Sequence, residues 1–288
     1  MSGREIELLQ VAAFTSGGAG GNPAGLVLGA DGLSTSDKQA LASRAGLSET
    51  AFISRSEVAT LKLEFFTPTR QIAHCGHATI AAFGYLGASG RLPAGRHTKE
   101  TIDGLREVFV DGGRAAMQQR PPVYDDVDAA EMLSALGLTP SQVDRRFAPV
   151  RVDTGNGFVL VGLNAPDDLT GVTPDLAALH DLSELHDLVG VYVFALTPDS
   201  ATAATTRMFA PRYGIAEEAA TGMAAGPLGC LLNDRGLAGA STLIEQGRFM
   251  HPPSPSRLQV DLTVRDGRIQ DVRVSGEAQL TGATRLRL

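Results

Sequence analysis

The chain has 288 residues, 43% of them hydrophobic and 20% charged, which suits a globular protein with room for two domains rather than a disordered one. Its net charge of −7 argues against a nucleic-acid or anionic-membrane surface as the main business, and no apolar run approaches the roughly 18 residues of a membrane span. Two cysteines give no disulfide framework. With no signal-peptide layout at the N-terminus, the expected location is the cytoplasm.

In chain order, Ile6, Leu8 and Val11 to Phe14 read as a first strand and Ala24 to Leu28 as a second. The Gly17–Gly21 loop between them departs from a dinucleotide fingerprint, because Pro23 occupies the last glycine position and a strand follows. Ser36-Asp37-Lys38-Gln39 reads as a capping box opening a helix that ends near Gly46. Leu47-Ser48-Glu49-Thr50-Ala51-Phe52-Ile53 then sets one carboxylate in an uncharged, strand-like run. A surface glutamate is the usual explanation; held in apolar surroundings instead, the carboxylate would have a raised pKa and act as an acid or base near neutral pH.

Leu61, Leu63 and Phe65 form a strand leading to a loop with His74, Cys75 and His77, followed by a helix of small residues. The layout returns in the second half, where Thr221-Gly222-Met223-Ala224 lines up with Cys75-Gly76-His77-Ala78 and another Gly/Ala-rich helix follows. A helix start leaves backbone N–H groups at the positive end of the helix dipole, a receptor for a carboxylate or phosphate. Further strands are expected at Arg106–Val110 and Arg114–Gln119, and Pro121-Pro122 marks a crossover. The second half is expected to hold helices near Ala129–Leu136 and Pro174–Leu188. Its strands fall near Ala148–Val152, Gly157–Leu163, Val191–Leu196, Ala203–Phe209, Leu243–Glu245, Leu258–Val264 and Ile269–Val274, with a short separate segment at Thr284–Leu288. The pattern is α+β, with two similar halves, each a barrel-like, mostly antiparallel sheet curled round one helix. The halves are expected at 1–120, joined by the last strand at 278–288, and at 121–277, with the active site in a cleft between them.

His74, Cys75 and His77 invite a metal reading, but the remaining histidines are scattered singly, so no metal is expected. Cys75, at a helix start, is a candidate for a depressed pKa. Glu217-Glu218, just before the second small-residue helix, suits the helix dipole, and Glu218 is a candidate partner for Glu49 or His77.

Taken in order, Phe14 with Gly21-Asn22-Pro23, Leu47-Ser48-Glu49-Thr50, Phe66-Thr67-Pro68-Thr69 with Cys75-Gly76-His77-Ala78-Thr79, Arg207 to Pro211 with Ala220-Thr221-Gly222, and Glu245-Gln246-Gly247 resemble the PhzF family. These are the phenazine-biosynthesis-like proteins, related to diaminopimelate epimerase. The resemblance implies a homodimer that isomerises a small carboxylate-bearing metabolite by cofactor-independent proton transfer at carbon. It implies Glu49 as general acid/base, His77 as its polar partner and Glu218 as the acidic group of the second half. Asn22, Cys75, Gly76, Gly222 and Met223 would bind substrate. The family commonly carries Asp where this chain has Glu218 and Ser where it has Met223, which implies a substrate other than the phenazine precursor. A member of the fold that binds ligand or protein without chemistry is the alternative, and a lyase or decarboxylase using the same acid/base pair is a third.

Overall fold

The computed structural model describes residues 4–198 and 200–288; residues 1–3, part of the stretch read for a targeting signal, lie outside them. The chain divides into two compact units, one running to Gln118 and completed by Ser275–Leu288, the other Gln119–Val274.

The first unit holds β1 (Glu5–Ala13), β2 (Asn22–Leu28), α1 (Thr35–Ala45), β3 (Thr50–Ser54), β4 (Leu61–Phe66), the two-residue β5 (Gln71–Ile72), α2 (Gly76–Ala88), β6 (Gly95–Thr101), β7 (Gly104–Asp111) and β8 (Arg114–Gln119), whose last residue falls in the second unit. β1 pairs on one side with β2 and on the other with the final strand. Pairing then passes from β2 to β3, β4, β6, β7 and β8, and β8 returns to the final strand. Eight strands therefore close into a barrel, and closure leaves no exposed edge in the ring. The steps β2 to β3 and β4 to β6 are parallel, whereas β1 runs antiparallel to β2 and to the final strand, β3 to β4, β6 to β7 and β7 to β8.

α2 is the axle of this barrel. It touches β1, β2, β3 and β7, and it is apolar all round, as a helix enclosed on every side must be. Its small residues are the condition for that enclosure. A Cβ on Gly84 would lie 2.6 Å from the Ala278 Cβ and 2.8 Å from the Gly113 carbonyl oxygen. Outside the sheet, Leu41 and Ala42 of α1 pack with Val27 and Phe52. The capping box of α1 is Ser34 with Asp37, two residues earlier than the expected start at Ser36.

The second unit repeats the plan with β9 (Val123–Asp126), α3 (Ala129–Ala135), β10 (Val150–Asp153), β11 (Gly157–Leu163), α4 (Leu176–Leu185), β12 (Gly190–Leu196), β13 (Ala204–Ala210), β14 (Ile215–Glu218), α5 (Gly222–Asp234), β15 (Ser241–Gln246) and β16 (Ser256–Arg265). The sheet runs β9, β10, β11, β12, β13, β15, β16, with β14 also paired to β13. α5 packs on β16 and β11, while α3 and α4 contribute Met132, Leu133 and Leu179 to a cluster with Val159, Val161, Val191 and Val193. β11 is consequently buried at every residue, the continuous apolar signature of a strand covered on both faces.

β17 (Arg268–Arg287) is one strand of 20 residues, where two shorter segments were expected. Its part up to Val274 belongs to the second unit and the remainder to the first. β6 was not expected as a strand at all.

Candidate active site

In the first unit, Glu49 lies just before β3, and its carbonyl accepts the Gly25 N–H of β2 at 2.9 Å. That bond fixes the backbone from which the carboxylate projects. Cys75 is the N-cap of α2, extended at φ −141° and ψ 121°, with no side chain capping the helix start. His77 follows in the first turn. The fold brings these three together: His77 Nε2 lies 3.2 Å from Glu49 Oε2, and Cys75 Sγ lies 3.6 Å from His77 Nδ1. All three are more than nine-tenths buried. Glu49 Oε2 faces His77 and, among the described residues, meets no other donor.

Two electrostatic expectations are corrected by this geometry. Burial alone would raise the pKa of Glu49, but the charge of His77 and hydrogen bonds from His77 and Ser48 outweigh it, so the net shift is downward. Glu49 is therefore an ionised carboxylate poised as a base. Cys75 moves the opposite way: burial pushes its thiol up rather than down, His77 only partly opposing this. It stands in the site as a neutral thiol.

The ligating atoms of Glu49, Cys75 and His77 lie within 4.8 Å of one another, a spacing that could close around an ion. His74, which the sequence grouped with Cys75 and His77, is not part of this set; its Nδ1 faces Lys99. Asn22 opens β2 opposite Ala13 and is buried. The intervening hairpin is unusual at Phe14, a buried non-glycine residue with φ 62°.

In the second unit, Glu218 ends β14 and Thr221 is the N-cap of α5. The Thr221 hydroxyl donates to Glu218 Oε2. Gln246, fully buried, ties this corner together: its Oε1 accepts the Thr221 N–H at 2.9 Å and the Tyr192 hydroxyl at 3.0 Å, and its Nε2 donates to the Glu218 carbonyl at 2.7 Å. Gly222 begins α5, and its carbonyl accepts Gln119 Nε2 at 2.9 Å. The Met223 sulfur lies 3.3 Å from Asn156 Nδ2, placing Asn156 beside the candidate residues although the sequence did not single it out. Glu217 separates from its neighbour: both its oxygens meet Arg207 at 2.8 Å, so it is a structural ion pair.

The family model of the phenazine biosynthesis-like proteins, PhzC-PhzF, matches residues 11–283. The chain belongs to the PhzF family. It is 33% identical to the "Uncharacterized isomerase YddE" of Salmonella typhimurium over 94% of this chain and 95% of that one. It is 32% identical to the trans-2,3-dihydro-3-hydroxyanthranilate isomerase of Pseudomonas aeruginosa over 92% of this chain and 93% of the other. Among solved structures, the Bacillus anthracis PhzF family protein superposes with a TM-score of 0.87 at 25% identity, covering 99% of this chain and all of that one. The match supports both the diaminopimelate epimerase-like fold and an isomerase or epimerase activity for this PhzF family member. Among its described residues, no helix is long and apolar enough to cross a membrane.

Proposed function

We propose that the protein is a cofactor-independent isomerase that moves a proton between carbons, or between the two faces of one carbon, of a small carboxylate-bearing metabolite. The observation that carries this reading is the buried Glu49–His77 pair, in which the carboxylate oxygen Oε2 faces the imidazole. Ionised Glu49 takes the proton from carbon and becomes a neutral carboxyl, the electron pair of the C–H bond passes into the substrate, and Glu49 returns a proton at the second position; the neighbouring imidazole stabilises the carboxylate before abstraction and after return. Glu218 is assigned as the acidic group contributed by the second unit. The starts of α2 and α5, neither capped by a side chain, each suit a carboxylate, with Asn22 and Gly76 assigned to substrate in the first unit and Gly222 and Met223 in the second. A homodimer in the cytoplasm is part of the same proposal.

The named P. aeruginosa relative acts on an anthranilate-type acid, which fits the substrate class. Met223 and Glu218 favour a different acid for this chain, because an added methylene moves a carboxylate by about 1 Å, enough to change a positioned proton transfer. The test is incubation of wild type and Glu49→Gln with cell metabolites in D2O, read by mass spectrometry. A metabolite labelled by wild type alone supports the reading. Equal labelling by both overturns the role of Glu49. No labelling by either, with a metabolite retained by the protein, favours the catalytically silent binding alternative.

A further inference from the structure

Behind the start of α2 stands a lysine that the proposed chemistry does not use. Lys99 lies on β6 and is 1% exposed. Its Nζ donates to the Thr79 hydroxyl oxygen at 2.7 Å, lies 3.1 Å from His74 Nδ1 and sits 5.3 Å from the centroid of the Phe65 ring. The Thr79 hydroxyl in turn donates to the Cys75 carbonyl at 2.7 Å. One ammonium thus reaches both residues entering the helix, the side chain of His74 directly and the backbone of Cys75 through Thr79.

An apolar residue would fill this place at less cost, since a buried ammonium facing a hydroxyl and an imidazole instead of a carboxylate is poorly compensated. Burial pushes Lys99 down to about 7, with the Cys75 thiolate form and Asp103 opposing and Arg106 reinforcing the shift. His74 is pushed to about 3 by its surroundings and by Lys99, so its imidazole is neutral and accepts at Nδ1. Only the Thr79 hydroxyl reaches the main chain, at the Cys75 carbonyl two residues before His77.

We propose that Lys99 is a positioning residue of the active site: through Thr79 and His74 it fixes the entry into α2, and thereby the orientation of His77 against Glu49. The inference rests on the Glu49–His77 pair as the proton-transferring unit. Removing Lys99 leaves the Thr79 hydroxyl and N–H bonded to the Cys75 carbonyl but takes away the donor that orients the Thr79 hydroxyl and the His74 ring; a displacement of about 1 Å at the reacting groups costs on the order of 10²-fold in rate.

The test is histidine-ring 15N NMR of the full-length chain across pH, with signals assigned by His74→Gln and His77→Gln. Wild type is compared with Glu49→Gln, Lys99→Met and Thr79→Val, the last cutting the relay while leaving the lysine in place. Glu49→Gln is expected to lower the His77 midpoint by removing its carboxylate. Lys99→Met and Thr79→Val are expected to move the His77 signals as well. In wild type those signals should carry a second inflection near 7, from Lys99, which is absent from Lys99→Met. Deuterium uptake by any metabolite that wild type labels should fall about 10²-fold in both relay variants, while thermal unfolding stays cooperative. His77 titrations in Lys99→Met and Thr79→Val that superimpose on wild type, with Glu49→Gln displaced, would overturn the role of Lys99 alone. An unmoved His77 in Glu49→Gln would overturn the pair on which it rests.

Discussion

His77 Nε2 stands 3.2 Å from Glu49 Oε2, and neither side chain is more than 8% exposed. The pairing reverses what burial alone does to a carboxyl. A carboxylate whose folded-state pKa is depressed adds stability that is fully present above its ordinary value of 4.5 and is lost as pH falls through the folded value. The melting-temperature difference between wild type and Glu49→Gln should therefore be constant at neutral pH and shrink below pH 4.5. Thermal unfolding of both proteins from pH 7 to pH 3 checks this. A difference that grows on acidification would show that Glu49 is held with a raised pKa instead.

Glu217 and Glu218 are adjacent in sequence and opposite in consequence. Glu217 holds Arg207 through both oxygens, and the same guanidinium donates to the Leu169 and Val172 carbonyls at 2.9 Å. Glu217→Gln should cost about 3 kcal/mol in urea unfolding, because it leaves a largely buried cation without its counter-charge. Glu218→Gln should lower turnover while changing stability by less than about 1 kcal/mol. The reverse pattern would exchange the two assignments.

Gln246 joins four polar groups at the start of α5: the Thr221 N–H and hydroxyl, the Tyr192 hydroxyl and the Glu218 carbonyl. Gln246→Met keeps the approximate volume and removes the partners of the Thr221 N–H, the Glu218 carbonyl and the Tyr192 hydroxyl. A loss of about 3 kcal/mol is expected, since each buried group left unpaired costs about 1–3 kcal/mol and some relaxation occurs. Urea denaturation gives the number, and an unchanged midpoint would show that the network carries little of the unit's stability.

Gly84→Ala should destabilise the protein by about 2 kcal/mol even though alanine favours helix, because the new methyl meets the Ala278 Cβ and the Gly113 carbonyl. A gain in melting temperature would mean that the barrel yields around α2 more readily than its packing implies.

The helices and most strands were legible because their apolar patterns are regular, α2 and α5 above all. β6 was not. Its sequence, Gly-Arg-His-Thr-Lys-Glu-Thr, contains no large apolar residue, and the positions it buries are His97, Lys99 and Thr101. Alternation was present, but the inward-facing residues were polar, so a hydrophobic pattern could not reveal it. The electrostatics failed for a related reason. The pKa of Glu49 depends on a histidine 28 positions further along the chain, and the thiol of Cys75 on how deeply α2 is enclosed. Neither quantity has a local signature. Glu49 stood out as one carboxylate in an uncharged run, and His77 and Glu218 by their places at the two helix starts; the ordered set of motifs added the roles assigned to them. Asn156 belonged to none and became apparent only beside Met223.

β17 closes the first barrel with residues that follow the whole second unit in the chain, pairing Ala278 to Arg287 with Ala13 to Glu5. During synthesis, the second unit is thus complete while the barrel around α2 still lacks a stave. Until Ala278–Arg287 have left the ribosome, β1 offers an unpaired edge, and a chain stalled before them would carry one finished half and one adhesive one.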